Sequence, residues 1–174
     1  MKRVTIALIL SLVSCVIAQA QFNKDELANI TKALEETISK EMPGWTHRSI
    51  QPIEGSEGVI IQHWEIGDIA VNIAVSKWRT EELAVRAFKE FKSNLRIEEQ
   101  ATSRSRGKQV HLIKEDLSTL GDEGYVSDVR GSEAVAFRKG KFIVNVSVPR
   151  PDGNKDVFFS RKFAAHVASV LQLQ

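Results

Sequence analysis

His63, Glu65 and Asn72 are the residues of this chain whose types best suit chemistry. An imidazole two positions from a carboxylate can act as a general base or a metal ligand. The same spacing on a strand also describes an ordinary solvated pair. His47, His111 and His166, the other three histidines, show no ligand-like spacing. The chain has no HExxH and no His-x-His, so a zinc site would have to be assembled from scattered residues. Asp122 and Glu123 are adjacent carboxylates beside a glycine; sequence neighbours on a turn seldom converge, so they read as turn chemistry. Asp152-Gly153-Asn154-Lys155-Asp156 begins like a calcium loop, but Val157 stands where glycine is needed and Phe163 where glutamate is needed. It reads as a Pro-Asp-Gly turn and helix cap. No G-x-S-x-G, P-loop or G-x-G-x-x-G is present; Gly55-Ser56-Glu57-Gly58 is one residue short around its serine.

Composition narrows the function further. Of 174 residues, 26% are charged and 43% hydrophobic, which suits a packed fold and excludes a disordered chain. Residues Met1 to Ala20 carry a basic start (Lys2, Arg3), an apolar run from Val4 to Ile17, and a small-x-small ending, Ala18-Gln19-Ala20. This is the pattern of a secretory signal peptide, with cleavage expected before Gln21 and a secreted or periplasmic destination. The run is too short for a spanning helix, which needs about 20 residues. A minority alternative is a bacterial lipobox at Leu12-Val13-Ser14-Cys15, which would make Cys15 a lipidated N-terminus. Cleavage after Ala20 removes Cys15, the one cysteine, and with it thiol catalysis and thiolate metal sites. It also leaves 22 basic against 22 acidic residues, a neutral balance that calls for no nucleic acid. Arg104, Arg106 and Lys108 sit near Glu98 and Glu99 without interleaved aromatics, so they read as a solvated loop. Asn29-Ile30-Thr31 and Asn145-Val146-Ser147 match glycosylation sequons by chance if the leader is bacterial.

The elements that would position these residues follow from periodicity. Asn23 caps a helix with Glu26 three residues on, and Leu27, Ile30, Leu34 and Ile38 form its stripe. Met42-Pro43-Gly44 stops it, and a short strand is expected at Thr46 to Ile50. Val59 to Ile66 and Ile69 to Trp78 form a hairpin around Gly67-Asp68. That turn pairs Ile66 with Ile69, Trp64 with Val71, Gln62 with Ile73 and Ile60 with Val75. Period two then sends Ile61, His63, Glu65, Ala70, Asn72, Ala74 and Ser76 to the other face. Thr80 caps a second helix with stripe Ala84, Ala87, Phe88, Phe91 and Leu95. A loop is expected at Glu98 to Lys108 and a strand at Val110 to Ile113. Three strands follow: Gly124 to Arg130, Glu133 to Arg138 and Lys141 to Val148, with turns at Gly131-Ser132 and Lys139-Gly140. A last helix is expected from about Asp156, lined by Phe159, Phe163, Val167, Val170 and Leu171.

The expected fold is therefore α+β: residues 1–20 a leader and 21–174 one domain. Its centre is an antiparallel sheet of about five to seven strands, in the order α-β-β-α-β-β-β-α with room for extra short strands. Three helices pack on it and cover at least one face. The second face, rich in Ala, Ser and Asn, would either admit a helix closely or floor a polar groove. His63, Glu65, Asn72, Tyr125 and Asn145 form its candidate binding surface.

Leu120-Gly121-Asp122-Glu123-Gly124-Tyr125, Val135-Ala136-Phe137-Arg138-Lys139-Gly140-Lys141 and the closing amphipathic helix carry a resemblance. They resemble secreted bacterial proteins and lipoproteins whose domains are PsbP/Mog1-like, with helices packed on an antiparallel sheet. The motifs cover about the C-terminal third of the chain, and element order covers the rest. The resemblance implies a binding or accessory role and transfers no catalytic residue. The function expected is a non-catalytic binding or accessory domain. Its partner would be a cell-envelope protein or a small ligand, with no cofactor, no nucleic acid and no transmembrane helix in the mature chain. The alternatives are an apolar-ligand carrier lined by Trp64, Phe88, Phe91, Phe137 and Phe163, and a hydrolase or metal enzyme using His63 and Glu65.

Overall fold

The computed structural model describes residues 23–48, 59–102, 110–113, 116–129, 132–149 and 159–172. The leader and Cys15, the Gly55–Gly58 segment, Arg104–Lys108 and the Asp152–Asp156 loop lie outside the described residues. Among those described, three helices and seven strands alternate. In chain order they are α1 (Lys24–Glu41), β1 (Thr46–Arg48), β2 (Val59–Ile66), β3 (Ile69–Lys77), α2 (Glu81–Thr102), β4 (Val110–Ile113), β5 (Glu123–Val129), β6 (Ser132–Lys139), β7 (Phe142–Pro149) and α3 (Phe159–Leu171). The strands form one antiparallel sheet, ordered β1-β2-β3-β7-β6-β5-β4. This is the α+β architecture and element order that the sequence specifies.

Local chemistry sets the ends of these elements. The Asn23 side chain accepts a 2.7 Å hydrogen bond from the Glu26 amide, and α1 ends before Gly44, whose φ is 90°. The Thr80 hydroxyl accepts from the Leu83 amide at 3.3 Å. Hydrogen bonds from its own amide and from Thr80 hold the Glu82 carboxyl below its ordinary range. The β2–β3 register is the one the Gly67-Asp68 turn requires, with Trp64 opposite Val71 and Ile60 opposite Val75.

Two turns differ from expectation. The β6–β7 turn is Gly140-Lys141, one residue later than expected, with Gly140 at a φ of 54°. Strands β5 and β6 pair up to Val129 opposite Ser132, one residue earlier than expected. Moving a two-residue turn by one position shifts the cross-strand pairing by two, so the parity of each strand survives. The side chains accordingly keep the faces expected of them. The second helix also runs to Thr102, into the stretch expected to be a loop from Glu98. The run Glu98-Glu99-Gln100-Ala101 contains no helix breaker, so polarity alone was the wrong cue for an ending.

Each face has its own core. On the first, α1 and α3 pack over Ile60, Trp64, Val71, Ile73, Val75, Val135, Phe137, Val144 and Val146, burying Ile30, Leu34, Phe163 and Val167 completely. Gln62 is a polar residue of that face and is almost fully buried. It donates to the Thr31 carbonyl at 3.2 Å and accepts from the Trp64 indole at 3.2 Å, tying α1 to the sheet. Glu133 anchors the start of α3: its carboxylate accepts from the Ser160 hydroxyl and, at 2.5 Å, from Arg161 Nη1. On the second face, α2 packs against β4, β6 and β7 and closes a smaller core of Trp78, Ala84, Ala87, Phe88, Phe91, Tyr125, Ala136 and Ile143.

Candidate functional site

Strand pairing aligns Arg48, His63, Asn72 and Ser147 in one row across β1, β2, β3 and β7 of the second face. Glu65 stands two residues from His63 on the same face of β2, beside Arg48. The side chains join into a chain of contacts. His63 Nδ1 lies 2.7 Å from Asn72 Oδ1, and Nε2 lies 2.8 Å from Glu65 Oε1. Glu65 Oε2 in turn meets Arg48 Nε at 2.5 Å. Asn72 is buried, while the side chains of His63 and Glu65 keep 23% and 30% of their exposure and Arg48 keeps 67%. The cluster is thus a half-buried polar seam that is wet at the β1 edge.

This arrangement limits what the imidazole can do. A doubly protonated ring donates to both oxygens; a neutral ring is satisfied if the Asn72 amide turns to donate. In either state both ring nitrogens are occupied, and none is left to take a proton from a third group. Among the described residues no three His, Cys, Asp or Glu side chains are placed to hold a metal ion.

The five candidate residues do not all meet. His63, Glu65 and Asn72 form the seam. Asn145 lies on the same face, opposite Ala74 on one side and Ala136 on the other, and is partly exposed. Tyr125 is further along that row, opposite Ala136, but it is buried beneath α2 with its ring 5.3 Å from Phe88. Burial pushes its phenol pKa well above the ordinary value. It is therefore part of the core under α2. Arg48 is the member that sequence reading missed. Its signal was available, because a strand at Thr46 pairing with β2 brings a basic residue beside Glu65.

Two other groupings bear on function. Arg138, with 8% of its side chain exposed, meets Glu123 at 2.9 Å, Asp122 at 2.8 Å and Glu81 at 3.2 Å, and donates to the Gly140 carbonyl. Desolvation alone would lower its pKa, but these carboxylates more than offset that and hold the guanidinium charged. Asp122 and Glu123 do converge, then, but on a cation that pins the start of α2. Gly121 makes this fit possible: a Cβ there would stand 2.3 Å from the Arg138 carbonyl oxygen. The five aromatics considered for an apolar cavity divide between the two cores, Trp64, Phe137 and Phe163 on the first face and Phe88 and Phe91 on the second. They cannot line a single cavity.

Among the described residues, no helix is long and apolar enough to cross a membrane. No protein-family model matches this sequence, and a search of curated proteins gives no significant match.

Proposed function

We propose that this chain is a secreted or periplasmic, non-catalytic binding or accessory domain. Its contact surface is the polar half of the second sheet face, built on His63, Glu65, Asn72 and Asn145 with Arg48 at the rim. The observation that carries this reading is the occupied imidazole: both His63 nitrogens are held by neighbours, which suits a rigid recognition surface better than proton transfer. The leader pattern at Met1–Ala20 and the PsbP/Mog1-like resemblance point the same way. The partner class is a cell-envelope protein or a small ligand.

A photo-crosslinking residue placed at Asn145 or at Ala165, an exposed position on α3, tests the surface in cells exporting the chain. Adducts from position 145 but not from 165 are expected; the reverse pattern overturns the assignment. The intact mass of the exported protein should begin at Gln21. A hydrolase activity that disappears in His63→Ala would replace the binding reading with an enzymatic one.

A further inference from the structure

A cavity of about 360 Å3 opens on the first face, at the end of the sheet remote from the His63 seam. It is lined by Glu26, Lys77, Lys139, Lys141, Phe142 and Leu171. Phe142 pairs across the sheet with Lys77 on one side and Lys139 on the other, so the three share a face. Gly140, at positive φ, turns the chain between Lys139 and Lys141. Glu26 comes from the first turn of α1 and Leu171 from the last turn of α3. Three lysines and one carboxylate, Glu26, thus line it, and the charge of Lys141 also acts on the Glu82 carboxyl at the start of α2. Glu26 is engaged by Lys77 at 2.5 Å, and Lys77 also lies 5.9 Å above the Phe142 ring. Lys139 reaches the Ala168 carbonyl at 3.4 Å. Among the described residues, neither Lys139 nor Lys141 has a carboxylate within ion-pair distance. Beside these two cations stand the apolar surfaces of Phe142 and Leu171.

We propose that this cavity binds a small organic carboxylate with a short apolar tail. The carboxylate sits between Lys139 and Lys141, and the tail lies on Phe142 and Leu171. Volume sets the size: ligand cavities run from about 300 to 1,000 Å3, and this one is near the bottom of that range. Donor chemistry sets the head group. The charged donors are lysine point charges, without the arginine fork suited to phosphate, and Phe142 and Leu171 supply apolar wall beside them.

The test is an amide chemical-shift titration of the exported chain with hexanoate. Hexanol (the tail without the charge) and inorganic phosphate (the charge without the tail) are run alongside. Hexanoate should shift Gly140, Phe142 and Leu171 saturably, with hexanol and phosphate weaker by about tenfold or more. The double variant Lys139→Gln, Lys141→Gln, both at a turn, should fold normally and lose about tenfold in hexanoate affinity. His63→Ala should leave the titration unchanged, which separates this site from the proposed partner surface. No saturable shift at those amides, an equal response to phosphate, or undiminished binding by the double variant overturns the proposal.

Discussion

Across the second sheet face, β5, β6 and β7 present Tyr125, Ala136 and Ile143 to α2, while β1, β2 and β3 present Arg48, His63, Glu65 and Asn72. Both halves contain small residues at equivalent positions, Ala136 in one and Ala74 in the other. What differs is what stands next to them. Beside Ala136 are aromatic and aliphatic groups that gain by leaving water, so a helix closes over them. Opposite Ala74 are Ile61 and Asn145, and one pair further along a histidine and an asparagine satisfy each other above the sheet face. Small residues allow a helix to approach; only apolar neighbours make its approach favourable.

Truncating a buried aromatic of the covered half should have the largest effect. Phe88→Ala removes a 1% exposed ring from beneath α2 and should cost about 3–5 kcal/mol, read by urea unfolding. A loss under 1 kcal/mol would mean that α2 contributes little to the fold. Arg138→Ala follows, at about 2–4 kcal/mol, because it leaves three carboxylates, Glu81 at the start of α2 and Asp122 and Glu123 at the start of β5, without their cation. Much of that loss should return in acid, where the carboxylates protonate.

The covered half can also be read by titration, because Tyr125 is the one tyrosine in the chain. Its folded-state pKa is raised by burial above the unfolded value of about 10. Its contribution to stability is therefore complete below pH 10 and declines as pH rises from there through the folded-state value. Tyrosinate absorbance should appear only as the chain unfolds in alkali. A normal titration near pH 10 with the fold intact would show that α2 does not seal Tyr125.

The smallest effect belongs to the polar half. His63→Gln should change stability by less than about 1 kcal/mol, since Glu65 and Arg48 keep each other at the wet rim. The same variant should weaken partner adducts at Asn145. Stability falling as far as in Phe88→Ala would make the seam a structural lock and remove the contrast between the halves.

Much of this organisation follows from residue order alone. Period two fixes which face each strand side chain takes, and Gly67-Asp68 fixes the β2–β3 register, so Trp64 and His63 had to point opposite ways. The faces survive even where turns move by one residue, as at Gly140-Lys141, because parity is a local property of the backbone. The placement of α2 is not local. Its stripe of Ala84, Ala87, Phe88 and Phe91 states that it must bury one side, but not over which strands. Tertiary packing settled that choice, burying Tyr125 and leaving Asn145 partly exposed. It also brought Arg48 onto Glu65 and occupied both nitrogens of His63. Those contacts depend on the side-chain rotamers chosen within the hairpin and on where β1 docks, which periodicity does not encode.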